Sequence, residues 1–233
     1  MEGNKPTLHF MTNSGSQQSL WLLEELGIEY NLVLHERDRG RAAVALRDTH
    51  PLGKAPQLVT ASGRTIAERS AIAYYLIETY DKEGRFKRPA DDRENDQFRE
   101  QQLLSVGMTS ANVYMSLKVV LSALAHSTPF FVRPLILSIL WVLSRAFLDA
   151  EIDSVFKFLD AELEGRQFFN GTERPTGLDF VLQWYVDFGR WGCGIDLDKY
   201  PKIREWNDRC VSREAWKKAL KKGNGYGVAF WEK

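Results

Sequence analysis

The side chains able to do chemistry in this chain gather in three short groups. Residues 12–16 read Thr-Asn-Ser-Gly-Ser, a turn ahead of a helix-like run, and any of its hydroxyls can cap that helix. Residues 51–56 read Pro-Leu-Gly-Lys-Ala-Pro, with Lys54 and Ala55 before Pro56, a proline that either opens a strand in an ordinary trans bond or takes a cis bond that presents the backbone to a ligand. Glu68-Arg69-Ser70 falls between a hairpin and a helix. A helix N-terminus offers unpaired N–H groups and a partial positive charge, which suits a carboxylate, and an arginine there can clamp one bidentately. Elsewhere Thr176 is answered three residues on by Asp179, the pattern of a capping box, and reads as structural.

Other chemistries find little support. The cysteines, Cys193 and Cys210, form no disulfide framework and match no zinc spacing. The four histidines (His9, His35, His50 and His126) make no H-x-x-x-H pair, so no metal site is expected.

The elements that must position these groups are read from periodicity. Residues 7–11 form a short apolar strand. Leu20, Leu22, Leu23 and Leu26 mark a helix that Gly27 terminates. A strand over 30–34 and a charged, irregular helix over 39–48 follow. Residues 57–60 and 64–67 pair as a hairpin about Ser62-Gly63, and 70–80 close the unit as a helix. The order β-α-β-α-β-β-α predicts an α/β domain over 1–82. Residues 83–94 continue a charged stretch and read as a linker. From 95 to 233 the pattern is all-helical: one long helix or two abutting ones over 96–125, a stripe at Ile152, Val155, Phe156, Leu159 and Leu163, and helices over 178–188 and 203–211.

Residues 129–148 (PFFVRPLILSILWVLSRAFL) are the most apolar stretch. The uncharged run between Arg133 and Arg145 is too short to span a bilayer, which takes about 20 residues. It is read as a buried core helix, with contact at a membrane interface as the alternative. In the 233-residue chain 31 basic residues balance 31 acidic ones, so charge gives no reason to expect nucleic acid as a partner. The polar N-terminus lacks a secretory pattern, and a cytoplasmic location is expected, with no transmembrane segment.

Four segments together resemble the cytosolic glutathione transferase family, in its fungal and bacterial type. They are Asn13-Ser14-x-Ser16 before the helix of Leu20 to Leu26; His50-Pro51-Leu52-Gly53-Lys54-Ala55-Pro56; Ile66-Ala67-Glu68 before Ala71-Ile72 and Tyr75-Leu76; and Thr176-x-x-Asp179. The resemblance implies a thioredoxin-like glutathione-binding domain followed by an all-α domain. It implies a cis bond before Pro56, with the Ala55 backbone pairing with the glutathione cysteine. A cis X-Pro bond costs only about 0.5–1 kcal/mol. Lys54 would neutralise the glycine carboxylate, and Glu68, Arg69 and Ser70 would hold the γ-glutamyl group. Ser14 would donate to the thiol sulfur and lower its pKa, with Thr12, Asn13 and Ser16 as alternative donors. A hydrophobic second substrate would lie between the domains, against Met108, Asn112, Tyr114, Met115 and Trp184. The tail carrying Tyr226, Phe230 and Trp231 has aromatics beside glycines, which suit either folding over an apolar ligand or packing on the domain surface.

Two departures stand out. The family usually has Glu-Ser where this chain has Glu68-Arg69, with Ser70 one step later. It often has arginine where this chain has Gly15 and Gln18, a loss that weakens the field around the thiol. The resemblance implies a homodimer and an enzyme that conjugates glutathione to a small apolar electrophile, as in detoxification. Glutathione-dependent double-bond isomerisation of a conjugated secondary metabolite is the alternative, and a non-catalytic glutathione-binding or regulatory module is the second.

Overall fold

The computed structural model describes residues 5–37, 41–90 and 96–227. A four-stranded sheet has the order β2-β1-β3-β4, formed by β1 (Thr7–Met11), β2 (Asn31–His35), β3 (Gln57–Val59) and β4 (Thr65–Ala67). β1 runs parallel to β2 and antiparallel to β3, and β3 and β4 form the expected hairpin. Leu8 and Phe10 are fully buried, as suits the pleat of an interior strand. Between β1 and β2 the chain crosses over through α1 (Ser16–Leu26), which ends on Gly27 at φ 66°, its N–H donating to the Leu23 carbonyl. Glycine enters this left-handed conformation without the Cβ clash of other residues.

The irregular helix expected over 39–48 is reduced to one turn, α2 (Leu46–Thr49), while 38–40 lie outside the described residues. Leu46 is its one buried residue, and Pro51 forces the preceding His50 into an extended conformation that stops the helix. α3 (Arg69–Tyr80) follows β4. The segment after it is tied down within 81–86: Asp81 accepts from the Phe86 N–H at 2.7 Å, and the Phe86 carbonyl accepts from Gly177 at 3.1 Å.

α4 (Gln97–Ser105), a wide π-type turn over Val106–Ala111 and α5 (Asn112–Ser127) make one continuous rod. Its portion Gln97–Ala125 is long and apolar enough to cross a membrane, yet Leu103, Ala111 and Met115 are buried in the protein core. The rod turns back through α6 (Arg133–Leu143), a second wide turn and α7 (Asp149–Glu162). α8 (Gly177–Cys193) is the central pillar, with nearly every residue buried. The capping box is formed: Asp179 accepts from Thr176, from the Phe169 N–H and from the Trp206 indole. α9 (Pro201–Ser212) packs beside it.

Two sequence expectations change. α6 is not a core helix, because none of its residues is buried and only α5 and the adjoining turn pack closely against it. A further helix, α10 (Glu214–Lys222), returns the chain to α1. Its sequence EAWKKALKK carries only Trp216 and Ala219 as buried anchors, so its apolar stripe is too narrow to stand out.

Candidate functional site at the end of the sheet

The strand register assembles the site. β1 pairs with β3 up to His9–Gln57, and β3 with β4 up to Gln57–Ala67. The next residues along each strand therefore reach the same end of the sheet: Phe10-Met11 leading into the 12–15 turn, Ala55-Pro56, and Glu68. Groups separated by more than fifty residues, such as Ser14 and Glu68, become neighbours through two ladders. Ala55, joined to Pro56 by a cis peptide bond, stands just before the ladder begins.

Glu68 lies at φ 72°, a left-handed conformation that costs a non-glycine residue about 1–3 kcal/mol. It caps α3 with its backbone, its carbonyl accepting from Ile72, and leaves its own side chain exposed. Ser70 sits in the first turn of that helix. Asn13, at φ 47°, is the other left-handed non-glycine residue among those described.

The Ser14 hydroxyl is buried against the backbone. It lies 2.7 Å from the Met11 carbonyl and 2.8 Å from the Ser16 hydroxyl, which itself accepts from the Met11 N–H at 3.2 Å. Segment 224–226 stitches the turn in place. Asn13 donates to the Gly225 carbonyl at 3.1 Å, and Asn224 donates to the His35 carbonyl at 3.0 Å.

Arg69 does not point into solvent. It folds inward, with its guanidinium 5.1 Å from the Trp184 ring and 4.8 Å from the Tyr185 ring. Its stem lies so close to Gly15 that a Cβ there would collide with Arg69 Cδ and Nη1. Burial lowers its pKa, opposed by the Tyr185 hydroxyl. The Arg69 side chain thus lies beside Gly15, one of the two positions where arginine was expected and is absent from the sequence. The gap bounded by Gln18, Ser19, Arg69, Ala73 and Phe180 leaves no room for a water molecule.

On the other side of Ala55 opens a cavity of about 680 Å³ whose lining includes Met11, Arg37, Arg41, Arg47, Lys54 and Ala55. Among the described residues, four cations and no carboxylate face it. Lys54 is exposed at its edge.

The expected wall between the domains is only partly open. Met108 and Asn112 are half-buried, but Met115 is fully enclosed and belongs to the core, where its sulfur lies close against Gly189. Tyr114 turns toward Phe147, edge to face at 5.8 Å, on the hairpin side. Trp184 stacks on Phe188 beneath Arg69.

Tyr226 does not fold over an open pocket. It is packed against Trp184, Trp191 and Trp216, donates to Asp187 at 2.5 Å and accepts from Gln18 at 2.8 Å. Gln183 donates to the same carboxylate at 2.7 Å. Burial still pushes the Asp187 carboxyl up to about 6. Phe230 and Trp231 lie outside the described residues. Sequence reasoning missed this buried link between α1, α8 and the tail, and also missed His9 and His35, whose ring nitrogens meet at 3.0 Å across β1 and β2. The parallel register that opposes His9 with Val33 was the signal that could have placed the two histidines near each other.

The comparisons agree with this architecture. A model of the glutathione S-transferase N-terminal domain matches residues 14–79. Glutathione S-transferase 3 of Schizosaccharomyces pombe is 26% identical over 92% of this chain and 86% of its own length. The crystal structure of a glutathione S-transferase from Actinobacillus pleuropneumoniae is 27% identical, with a TM-score of 0.77 over 97% of this chain and 95% of that one. A glutathione transferase of Phanerochaete chrysosporium, solved with oxidised glutathione, shares 20% identity and the same fold, with a TM-score of 0.72 over 94% and 96% of the two chains. With its sheet, its helical domain and its relatives in accord, residues 14–79 carry the glutathione S-transferase N-terminal domain, and the chain over nearly its whole length is similar to glutathione S-transferases.

Proposed function

We propose that this chain is a glutathione transferase that binds the tripeptide across the joined ends of β1, β3 and β4 and presents its sulfur to a small apolar electrophile. The observation that carries this reading is the register that brings the Ser14 turn, Ala55 and the Glu68-Ser70 corner to one end of the sheet. Ala55, outside the ladder, has a backbone suited to pairing with the cysteine of glutathione in the manner of an added strand. The α3 N-terminus at Arg69-Ser70 suits the γ-glutamyl carboxylate, and the exposed Glu68 carboxylate suits its ammonium. Lys54, with the cationic cavity beside it, suits the glycine carboxylate at the other end.

In this reading a glutathione thiol loses its proton to solvent and the thiolate attacks the electrophile. A carbon–sulfur bond forms as the leaving group departs. Ser14 would stabilise the thiolate by turning its hydroxyl from the Met11 carbonyl toward the sulfur, at the N-terminus of α1. Arg69, packed on Gly15, supplies a positive charge to the same turn. Both effects favour the anion over the thiol. The apolar partner would be held near Met108 and Asn112, the half-buried members of the expected wall, while the expected Trp184 is buried in the core.

Calorimetric titration with glutathione, combined with turnover of a chloronitrobenzene, tests the reading. The expected results are saturable binding and a conjugate that carries the glutathionyl group. Ser14→Ala should lower turnover by at least about tenfold while leaving glutathione affinity nearly unchanged. Binding without turnover of any electrophile would overturn the enzyme reading. Unchanged turnover in the variant would remove Ser14 and leave Ser16, Thr12 or Asn13 as the donor. A product isomerised but free of sulfur would assign isomerisation in place of conjugation.

A further inference from the structure

We propose that the face made by α5 and α6 docks on the surface of an anionic lipid bilayer, with α6 lying in the interfacial layer. This inference stands apart from the glutathione site. α6 and the start of the turn after it meet the rest of the protein along a narrow line, Ile136, Leu140 and Ser144, which are half-buried. Leu135, Leu137, Ile139, Trp141, Val142 and Leu143 are all exposed. At 100° per residue these six spread over most of the helix circumference. Ahead of the helix, Phe130 and Phe131 stand 82% and 72% exposed at the tip of the hairpin. Monomers seldom leave an apolar area of this kind uncovered.

The shape and charge of the patch select the occupant. A protein partner covers one face of a helix and is bordered by a polar rim. Here apolar side chains continue around the helix and beyond its end, as an interfacial layer would require. Between residues 119 and 148 there is no aspartate or glutamate, and the charged residues are Arg133 and Arg145, one at each end of α6. Arg145 lies 5.8 Å from the ring of the exposed Trp141, an aromatic and cation pair at the height where headgroups would sit. The 11 residues of α6 span about 16 Å, against a hydrocarbon core of about 30 Å, so the helix lies along the bilayer. The same face holds an apolar groove of about 730 Å³ between α5 and α6, floored by Leu121, Ala125 and Leu148.

Flotation of the full chain with vesicles tests this. Vesicles of phosphatidylcholine containing one third phosphatidylserine should carry the protein, with binding at least about tenfold weaker to phosphatidylcholine alone. Phe130→Ser with Phe131→Ser should lower binding at least about tenfold, and so should Arg133→Glu with Arg145→Glu. Brominated lipid chains should quench part of the tryptophan emission, a part absent in Trp141→Phe. Circular dichroism on each variant shows that the fold persists. No flotation on either vesicle, or equal flotation on both, would overturn the proposal. A change of oligomeric state in the phenylalanine variants without vesicle binding would assign the face to a second copy of the chain.

Discussion

α8 and α6 are both apolar helices, and they have opposite fates. α8 carries Asp179, Gln183 and Asp187 among its apolar residues, and all three are buried. α6 carries no ionisable group between Arg133 and its end, and none of its residues is buried. The more polar helix is inside. Hydrophobicity sets how much a helix gains by burial, but position in the bundle decides whether that gain is collected. α8 is packed by α1, α3, α4, α5 and α9, whereas α6 sits at the outer end of a hairpin. The carboxylates of α8 are tolerated because each has donors. Asp179 accepts four hydrogen bonds, and Asp187 accepts from Tyr226 and Gln183.

The sharpest way to break this contrast is to remove the donors' acceptor. Asp179→Ala leaves the Thr176 and Phe169 N–H groups and the Trp206 indole buried without a partner. We expect a loss of about 4 kcal/mol or more in urea unfolding, enough to prevent folding at ordinary temperature. The next test compares matched truncations. Leu182→Ala in α8 should cost about 2–5 kcal/mol, because its side chain is fully buried and abuts Gly107. Leu137→Ala in α6 should change stability by less than about 0.5 kcal/mol. Equal effects would mean that α6 is covered in solution.

A smaller effect is expected from Asp187. Its folded pKa, about 6, lies above the ordinary carboxylate value, so the folded state holds the proton more tightly. Its contribution is fully present below the unfolded pKa and is lost as pH rises through about 6. Asp187→Asn should therefore flatten the unfolding midpoint between about pH 4 and pH 6, in the scan where the parent protein loses stability as pH rises. The smallest effect is that of His9 and His35. Burial lowers both pKa values, with each other's charge adding to the effect at His9, so their contribution is present above the ordinary histidine value and falls away as pH drops. His35→Gln should remove part of that decline.

Much of the site was legible because its segments carry strong local signals. Pro51 and Pro56, the glycine that ends α1, the hairpin turn and the 176–179 box each restrict the backbone within a few residues. The family resemblance rested on these same segments. What the local pattern hid was the side-chain partnership of Arg69 with Gly15. An arginine at the start of α3 reads the same whether it faces solvent or crosses to another loop. The place of Tyr226 was undecided in the sequence for a similar reason, since it pairs with residues 39 and 208 positions away.

By itself the sequence determined the order of elements, the turns and caps, and the strand ends that carry the reactive groups. These depend on backbone preferences that act over short range. Only the tertiary structure decided which apolar helix is covered, which carboxylates are buried and where the Arg69 charge lies. Burial and proximity belong to neighbours brought together by folding, and periodicity along one helix carries no record of what packs against it.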